Sequence, residues 1–154
     1  MKYRLWLTAL AVLTLDQITK GLALAGLRDG PIDLIPNVVT LRLAFNPGGA
    51  FGLLRHLPGF FLLATIVVVG VILVWARRID DRRWHVPLGM VLGGGLGNLT
   101  DRLIRQHDGR VVDFIDLQVW PVFNFADSAI VIGVVWLLFL GSRGEPEEPA
   151  RDSS

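Results

Sequence analysis

Two aspartates, Asp113 and Asp127, are the residues of this sequence best suited to chemistry. Asp113 precedes a short apolar connection, and Asp127 stands where a strongly hydrophobic run, Ala129–Leu140, begins. A carboxylate at a membrane boundary is costly, so it usually marks a functional site or a charged partner. Two carboxylates held together in a poorly hydrated site share one proton. Such a pair can serve as general acid and general base, provided that the fold brings the two side chains together.

Other common catalytic arrangements are missing from the sequence. The chain has no cysteine, which excludes disulfides, thiolate metal sites and a cysteine nucleophile. His56, His85 and His107 are isolated from one another, so a histidine-based zinc site is not indicated. Ser128 has no neighbouring histidine, and the glycines within residues 86–105 have the wrong context for a phosphate loop. We therefore expect no metal and no cofactor, and two carboxylates remain, the solution that aspartic proteases use.

Composition indicates a membrane protein. Of the 154 residues, 52% are hydrophobic, and the mean hydropathy of +0.51 is too high for an ordinary soluble domain. The formal net charge of +1 does not argue for a nucleic-acid partner. Four apolar segments, each near the roughly 20 residues that cross a bilayer, are predicted to be transmembrane helices: about 5–27, 58–76, 86–105 and 123–140. The sequence thus predicts an all-α membrane protein with one domain over residues 1–141 and a disordered cytoplasmic tail over residues 142–154.

Residues 28–57, between the first two apolar segments, have a different character. Gly30-Pro31 is a turn signal, and apolar side chains alternate over Val39–Phe45, which predicts a strand. A second extended segment is predicted at Ala50–Leu54. This β-rich excursion is either a folded connecting loop or a platform that holds an extended substrate by strand addition.

Positive charges predict the orientation of the helices. Four arginines follow the second apolar segment: Arg77, Arg78, Arg82 and Arg83. Lys2 and Arg4 precede the first segment, and positive residues stay on the cytoplasmic side. Both termini are therefore predicted to be cytoplasmic, with residues 28–57 and 103–121 facing outward. In this orientation the ionisable residues and amides outside the cytoplasmic loop gather at one depth on the outer side, which argues for a site more than for scattered ion pairs.

Polar residues within the first apolar segment allow two interpretations. Asp16, Thr19 and Lys20 share one helix face, so Asp16 and Lys20 either form an internal ion pair or belong to a site. The segment also resembles a signal peptide, because Ala23–Ala25 is similar to a cleavage site. The polar residues interrupt its apolar core, however, and this favours a retained helix.

The third apolar segment is rich in glycine. Its small residues recur every four positions and would let another helix approach closely: Gly89, Gly93 and Gly97. Asp101 lies near the outer end of this helix, where it either pairs with Arg102 or belongs to the site. Spacing alone does not decide whether Asp101 or Asp113 is the partner of Asp127.

Five motifs occur in an order that resembles a known family. They are Asp16–Lys20 (DQITK), Asn46–Gly52 (NPGGAFG), Gly94–Arg102 (GGLGNLTDR), Val111–Phe114 (VVDF) and Phe123–Ser128 (FNFADS). Around four hydrophobic segments, this order is similar to that of lipoprotein signal peptidases (signal peptidase II). The resemblance extends from Asp16 to about Leu140.

The resemblance implies an aspartic endopeptidase of the bacterial inner membrane. Such an enzyme removes the signal peptide from diacylglyceryl-modified prolipoproteins, just before the lipidated cysteine. Asp113 and Asp127 would be its catalytic pair, and residues 28–57 would match the family's extracytoplasmic β-cradle. The implied partners are the lipid-modified prolipoprotein and membrane lipid, with no nucleic acid and no implied oligomer.

The resemblance also supplies a set of side chains expected to line the substrate site. They are Asp16, Lys20, Asn46, Gly48, Asn98, Asp101, Arg102, Asn124 and Ala126. The outer loop, residues 103–121, transfers least well from the family. Its spacing is longer than usual before Asp113 and shorter than usual between Asp113 and Asp127.

Two functions of other classes are compatible with the residues alone. A small transporter or channel subunit would use membrane carboxylates to relay protons or bind cations, and would give flux in sealed vesicles without proteolysis. A metal-dependent lipid-modifying enzyme would use Asp101, Asp113 and Asp127 as ligands, and a chelator would inactivate it.

Overall fold

The computed structural model of the chain describes residues 2–48, 58–105 and 107–143. The described part contains four α-helices: α1 Tyr3–Gly26, α2 Pro58–Arg78, α3 His85–Leu103 and α4 Phe125–Ser142. It also contains three strands: β1 Ile32–Ile35, β2 Val39–Asn46 and β3 Val111–Asp116. The extended segment predicted at Ala50–Leu54 and residues 144–154 of the predicted tail lie outside the described residues.

The predicted combination of a mainly helical fold with a small β element is confirmed. Each of the four helices begins and ends within two residues of its predicted bounds. Among the described residues, α1 and α4 are long and apolar enough to cross a membrane, with mean hydropathies of 1.3 and 2.0. This criterion concerns length and composition alone.

Helix α3 is central, because it packs against α1, α2 and α4. Glycine makes the close packing possible: a Cβ atom at Gly93 would lie 2.5 Å from the Ala9 carbonyl oxygen of α1. A Cβ atom at Gly94 would lie 2.6 Å from the Ala126 carbonyl oxygen of α4. Side chains cannot approach backbone atoms so closely, so both neighbouring helices come as near to α3 as its glycines allow. The predicted small-residue face therefore serves helix packing.

Apolar side chains fill the interior and also cover much of the outside. One buried cluster joins Leu5 of α1, Val69 of α2 and Leu92 of α3. On the outside, Leu63 of α2 and Leu138 of α4 are more than half exposed. Exposed apolar faces of this kind are unfavourable in water, whereas lipid tails are as apolar as leucine and solvate them well.

The sheet is antiparallel and has the order β1-β2-β3. The sequence predicted β structure only within residues 28–57, but β3 comes from the loop between α3 and α4. Its residues are buried on both faces, apart from the half-buried Ile115, so the alternation of polar and apolar residues that identifies a strand is absent. The register places Asn46 of β2 opposite Val111, two residues from Asp113. Strand pairing thus brings the end of β2 to Asp113.

Candidate active site

Asp113 and Asp127 belong to one hydrogen-bond network, and Asn124 joins them. The Asn124 Nδ2 atom donates to Asp113 Oδ1 at 2.6 Å, and the Asn124 backbone N–H donates to Asp127 Oδ2 at 3.3 Å. The Asn124 Oδ1 atom accepts the backbone N–H of Asp127 at 2.9 Å. Asn124 is the N-cap of α4, and Asp127 completes a reciprocal capping box with it. The first turn of α4 therefore sets the position of both carboxylates.

The second oxygen of Asp113 is held by the end of β2. Asn46 Nδ2 donates to Asp113 Oδ2 at 2.9 Å, and the Gly48 backbone N–H donates to Asn46 Oδ1 at 2.9 Å. Because that N–H is only a donor, it sets the orientation of the Asn46 amide. Gly48 has a φ of 121°, a conformation that favours glycine. Asn46 and Gly48, the two predicted site residues of the Asn46–Gly52 motif, therefore both help to hold the Asp113 side chain in place.

Asn98 of α3 holds Asp127 from the other side. Its Nδ2 atom donates to Asp127 Oδ1 at 2.8 Å. Its Oδ1 atom accepts hydrogen bonds from Lys20 Nζ at 3.0 Å and from Asn124 Nδ2 at 3.1 Å. A lysine ammonium has only donors, so Lys20 determines which end of the Asn98 amide faces Asp127.

Lys20 lies at the centre of a buried ion-pair network. Its Nζ atom contacts Asp16 Oδ2 at 2.8 Å and Asp101 Oδ2 at 2.9 Å, and none of the three side chains has exposed surface. Asp101 also pairs with Arg105 at 3.3 Å. The charges of two acidic and two basic side chains therefore balance one another, as buried charged groups require. The internal ion pair between Asp16 and Lys20, one of the two predicted alternatives, is present.

This network ties α4 and β3 to α1 and α3. Asp16 Oδ1 accepts the backbone N–H of Ala126 at 3.0 Å, and Asp101 Oδ2 accepts the backbone N–H of Val112 at 3.0 Å. Asp101 pairs with Lys20 and Arg105 in place of its neighbour Arg102, and it is Asp113 that shares Asn124 with Asp127. The ion pairs therefore support the elements that carry the two central aspartates.

The predicted contacts with substrate stay predictions for the buried members of the set. Asp16, Lys20, Asp101 and Ala126 have no exposed surface, and each contacts another part of the protein. Arg102 is half-buried, and its Nε atom is buried without a hydrogen-bond partner among the described residues. The charges of Asp127 and Asp113 act on this guanidinium. Arg102 is thus a side chain of the site with a donor still available.

Gln17 and Arg105 were not predicted as members of the site. Gln17 Nε2 donates to Asp16 and to Asp101, at 3.1 and 3.2 Å. Arg105 donates to the Gln17 backbone carbonyl at 3.1 Å. The spacing of Asp101 and Arg105, four residues apart on a helix, is the signal that would have indicated their ion pair.

Burial raises the pKa of Asp113 to about 7, and the negative charge of Asp127 raises it in the same direction. The amide donors Asn46 and Asn124 act the opposite way, because they stabilise the charged form. Near neutral pH the pair can therefore hold one proton, as an acid–base pair requires. No group of three or more His, Asp or Glu side chains that could hold a metal ion occurs in residues 2–48, 58–105 and 107–143.

Sequence comparisons identify related proteins over almost the whole chain. The family model described as signal peptidase (SPase) II matches residues 8–142. The lipoprotein signal peptidase of Rhodococcus jostii (strain RHA1) is 43% identical over 149 residues, which cover 93% of this chain and 75% of that protein. The lipoprotein signal peptidase of Desulfitobacterium hafniense (strain DSM 10664 / DCB-2) is 41% identical over 140 residues, which cover 88% of this chain and 91% of that protein.

Solved structures with a similar fold are also known. A bacterial membrane enzyme determined by the in meso method at 2.3 Å resolution has a TM-score of 0.77 and 30% sequence identity. The match covers 94% of this chain and 93% of that one. A second such structure, at 1.9 Å resolution, has the same TM-score with 29% identity, and the match covers 92% of this chain and 94% of that one.

Proposed function

This chain belongs to the signal peptidase II family, and from that premise we propose that Asp113 and Asp127 are the catalytic pair of an aspartic endopeptidase. The enzyme removes signal peptides from prolipoproteins, and cleavage falls just before the diacylglyceryl-modified cysteine. The Asn124 bridge is the observation that supports this pair, because one asparagine holds a carboxylate on each side. Because the pKa of Asp113 is raised, this carboxyl group can carry the single proton that the pair must share.

In the first step, Asp127 acts as the general base. It accepts a proton from a water molecule while the water oxygen attacks the carbonyl carbon of the scissile peptide bond. Asp113 donates its proton to the carbonyl oxygen, so that a neutral tetrahedral intermediate forms. Both Asp127 oxygens accept hydrogen bonds, from Asn98 and Asn124, which hold the carboxylate in position for the attack.

In the second step, the protons return. Asp127 donates its proton to the leaving nitrogen while the carbon–nitrogen bond breaks, and a hydroxyl of the intermediate returns a proton to Asp113. The pair ends in its starting protonation state. Arg102 fits a supporting role, because its guanidinium is half-buried and its Nε atom has no hydrogen-bond partner among the described residues. No step requires a metal.

Cleavage of a defined precursor tests this function. The purified protein is expected to cleave a diacylglyceryl-modified prolipoprotein in detergent and to leave the unmodified form of that precursor intact. Mass spectrometry of the products should place the new amino terminus at the lipidated cysteine. Equal cleavage of both forms, or of neither, would overturn the proposed substrate.

Activity is expected to fall as the pH rises above about 7, because the mechanism requires Asp113 to be protonated. Above that pH, kcat/KM should decrease by about tenfold per pH unit, since kcat/KM reports the free enzyme. Asn46→Ala removes a donor that lowers the pKa of Asp113, so the decline should begin at a higher pH in this variant. A profile that stays flat from pH 6 to pH 9 would contradict the assignment of the acid.

In the proposed topology, all four helices cross the bacterial inner membrane and the sheet lies on the outer face. The helices contain 24, 21, 19 and 18 residues. At about 1.5 Å per residue they match the roughly 30 Å of hydrocarbon. Lys2 pairs with Asp80 at 3.7 Å and donates to the Arg77 carbonyl, so the amino terminus lies beside the arginine-rich turn. This proximity supports a cytoplasmic location for both.

Reporter fusions test the topology. A reporter fused after Arg78 is expected to be cytoplasmic, and a reporter fused after Arg110 extracytoplasmic. Because Arg110 precedes β3, the second fusion also tests the side on which Asp113 lies. The reverse pattern would place the catalytic pair on the wrong face for a secreted precursor.

A further inference from the structure

An apolar groove lies along the outer half of α4. It is lined by Leu117, Trp120 and Phe123, from the segment before α4, and by Val131 and Ile132 of α4. The cavity volume is about 300 Å³, which is at the lower end of the range for small-molecule sites. Val131 and Ile132 are more than half exposed. In the proposed topology the groove therefore opens directly to the lipid.

The groove is continuous with the catalytic pair. Its remaining lining residues are Asp127 and Ser128, in the first turn of α4. Val131 follows Asp127 by four residues, so it lies about one helical turn further along the same face. A group that enters this groove from the lipid therefore ends beside the carboxylate that activates water.

The lining favours a hydrocarbon chain over a peptide. Ser128 Oγ already donates to the Asn124 carbonyl at 3.1 Å, and both Asp127 oxygens accept hydrogen bonds from Asn98 and Asn124. Apart from the indole of Trp120, the other lining side chains are hydrocarbon. An extended peptide leaves its N–H and C=O groups unpaired in such a groove, which is unfavourable. An acyl chain has no such groups.

We propose that this groove binds one acyl chain of the diacylglyceryl group on the substrate cysteine, an inference that rests on the proposed function. Lipid tails are as apolar as the groove, so moving a chain from the bilayer into it gains little hydrophobic free energy. The contribution of the groove is orientation. An acyl chain held along α4 keeps the attached cysteine, and the peptide bond before it, beside Asp127.

Val131→Trp tests this proposal by filling the groove with an indole. For a dipalmitoylglyceryl precursor, kcat/KM is expected to fall by about tenfold or more, because a misplaced bond reacts slowly. For a diacetylglyceryl precursor, whose acyl groups are too short to extend along α4, kcat/KM should change by less than about twofold. Val71→Trp is the matched control, since Val71 of α2 is 58% exposed and Val131 is 61% exposed. The control variant should cleave both precursors as the wild-type protein does.

Any other pattern of cleavage rates would contradict the proposed acyl-chain site, and each pattern has a different meaning. Equal losses with both precursors would assign the groove to the signal peptide, and no loss with either would mean that no part of the substrate enters it. A wild-type protein that cleaves neither precursor would overturn the proposed function itself. Val131→Ala widens the groove without a steric clash, so cleavage of a methyl-branched diacyl precursor relative to a straight-chain one should rise. An unchanged ratio would also contradict the proposal.

Discussion

Replacing Asp113 or Asp127 by asparagine is expected to abolish cleavage of a diacylglyceryl-modified precursor. Asparagine has nearly the same shape as aspartate, but it neither accepts a proton from water nor donates one to a carbonyl oxygen. General acid–base catalysis contributes about 10²- to 10⁴-fold for each group, so each variant should lose about 10³-fold or more in kcat when both steps need the pair. Initial rates with the purified variants measure the loss.

Folding must be separated from chemistry in this experiment. Asp113 and Asp127 each accept hydrogen bonds on both oxygens. In each asparagine variant one of these oxygens becomes an NH2 group, so two hydrogen-bond donors then face each other. We expect a loss of about 1–2 kcal/mol in the free energy of unfolding for each variant. Thermal unfolding in detergent should therefore show a folded protein with a slightly lower melting temperature.

Asp108→Asn is the matched control for these variants. Asp108 is exposed and has a φ of 53°, a conformation that asparagine also adopts readily. The same chemical change should therefore leave cleavage unchanged at this position. Full activity in either Asp113→Asn or Asp127→Asn would show that the carboxylate concerned is not part of the catalytic pair.

Lys20→Met is expected to produce the largest loss of stability. The substitution leaves the carboxylates of Asp16 and Asp101 buried without the ammonium that contacts both of them. Breaking a buried ion pair from one side costs about 3–5 kcal/mol. For a chain of this length, that loss lowers the melting temperature by roughly 6–20 °C. Thermal unfolding of the purified protein in detergent measures the shift.

A second variant separates stability from positioning. In Asp16→Asn/Lys20→Met, one acid and one base are removed together, and Asp101 keeps its ion pair with Arg105. Most of the stability should return, but full activity should not, because the Asn98 amide then loses one of the two donors that orient it toward Asp127 and keeps only the hydrogen bond from Asn124. Recovery of full activity would limit the role of Lys20 to stability.

The matched control for this change is Lys2→Met. Lys2 pairs with Asp80, whose side chain is almost fully exposed, and exposed ion pairs contribute little to stability. Its melting temperature should therefore stay close to that of the wild-type protein. A similarly small shift for Lys20→Met would contradict the structural importance of the buried network.

Much of the fold could be predicted because helices are local structures. Length, apolar composition and charged ends determine where α1 to α4 begin and end, and all of these can be read along the chain. Strand β3 could not be predicted in this way. It is buried on both faces, so its pattern does not alternate, and its pairing with β2 joins residues that are far apart in sequence.

The sequence by itself determined which residue types are available for chemistry: aspartates next to apolar segments, several amides, and neither cysteine nor a histidine cluster. It did not determine which aspartate faces Asp127. The tertiary structure decided that, because Asp101 is held by Lys20 and Arg105 while Asp113 shares Asn124 with Asp127. The physical reason is that a buried carboxylate takes its role from the donors and charges around it. Those come from α1, α3, β2 and α4, which only the folded chain brings together.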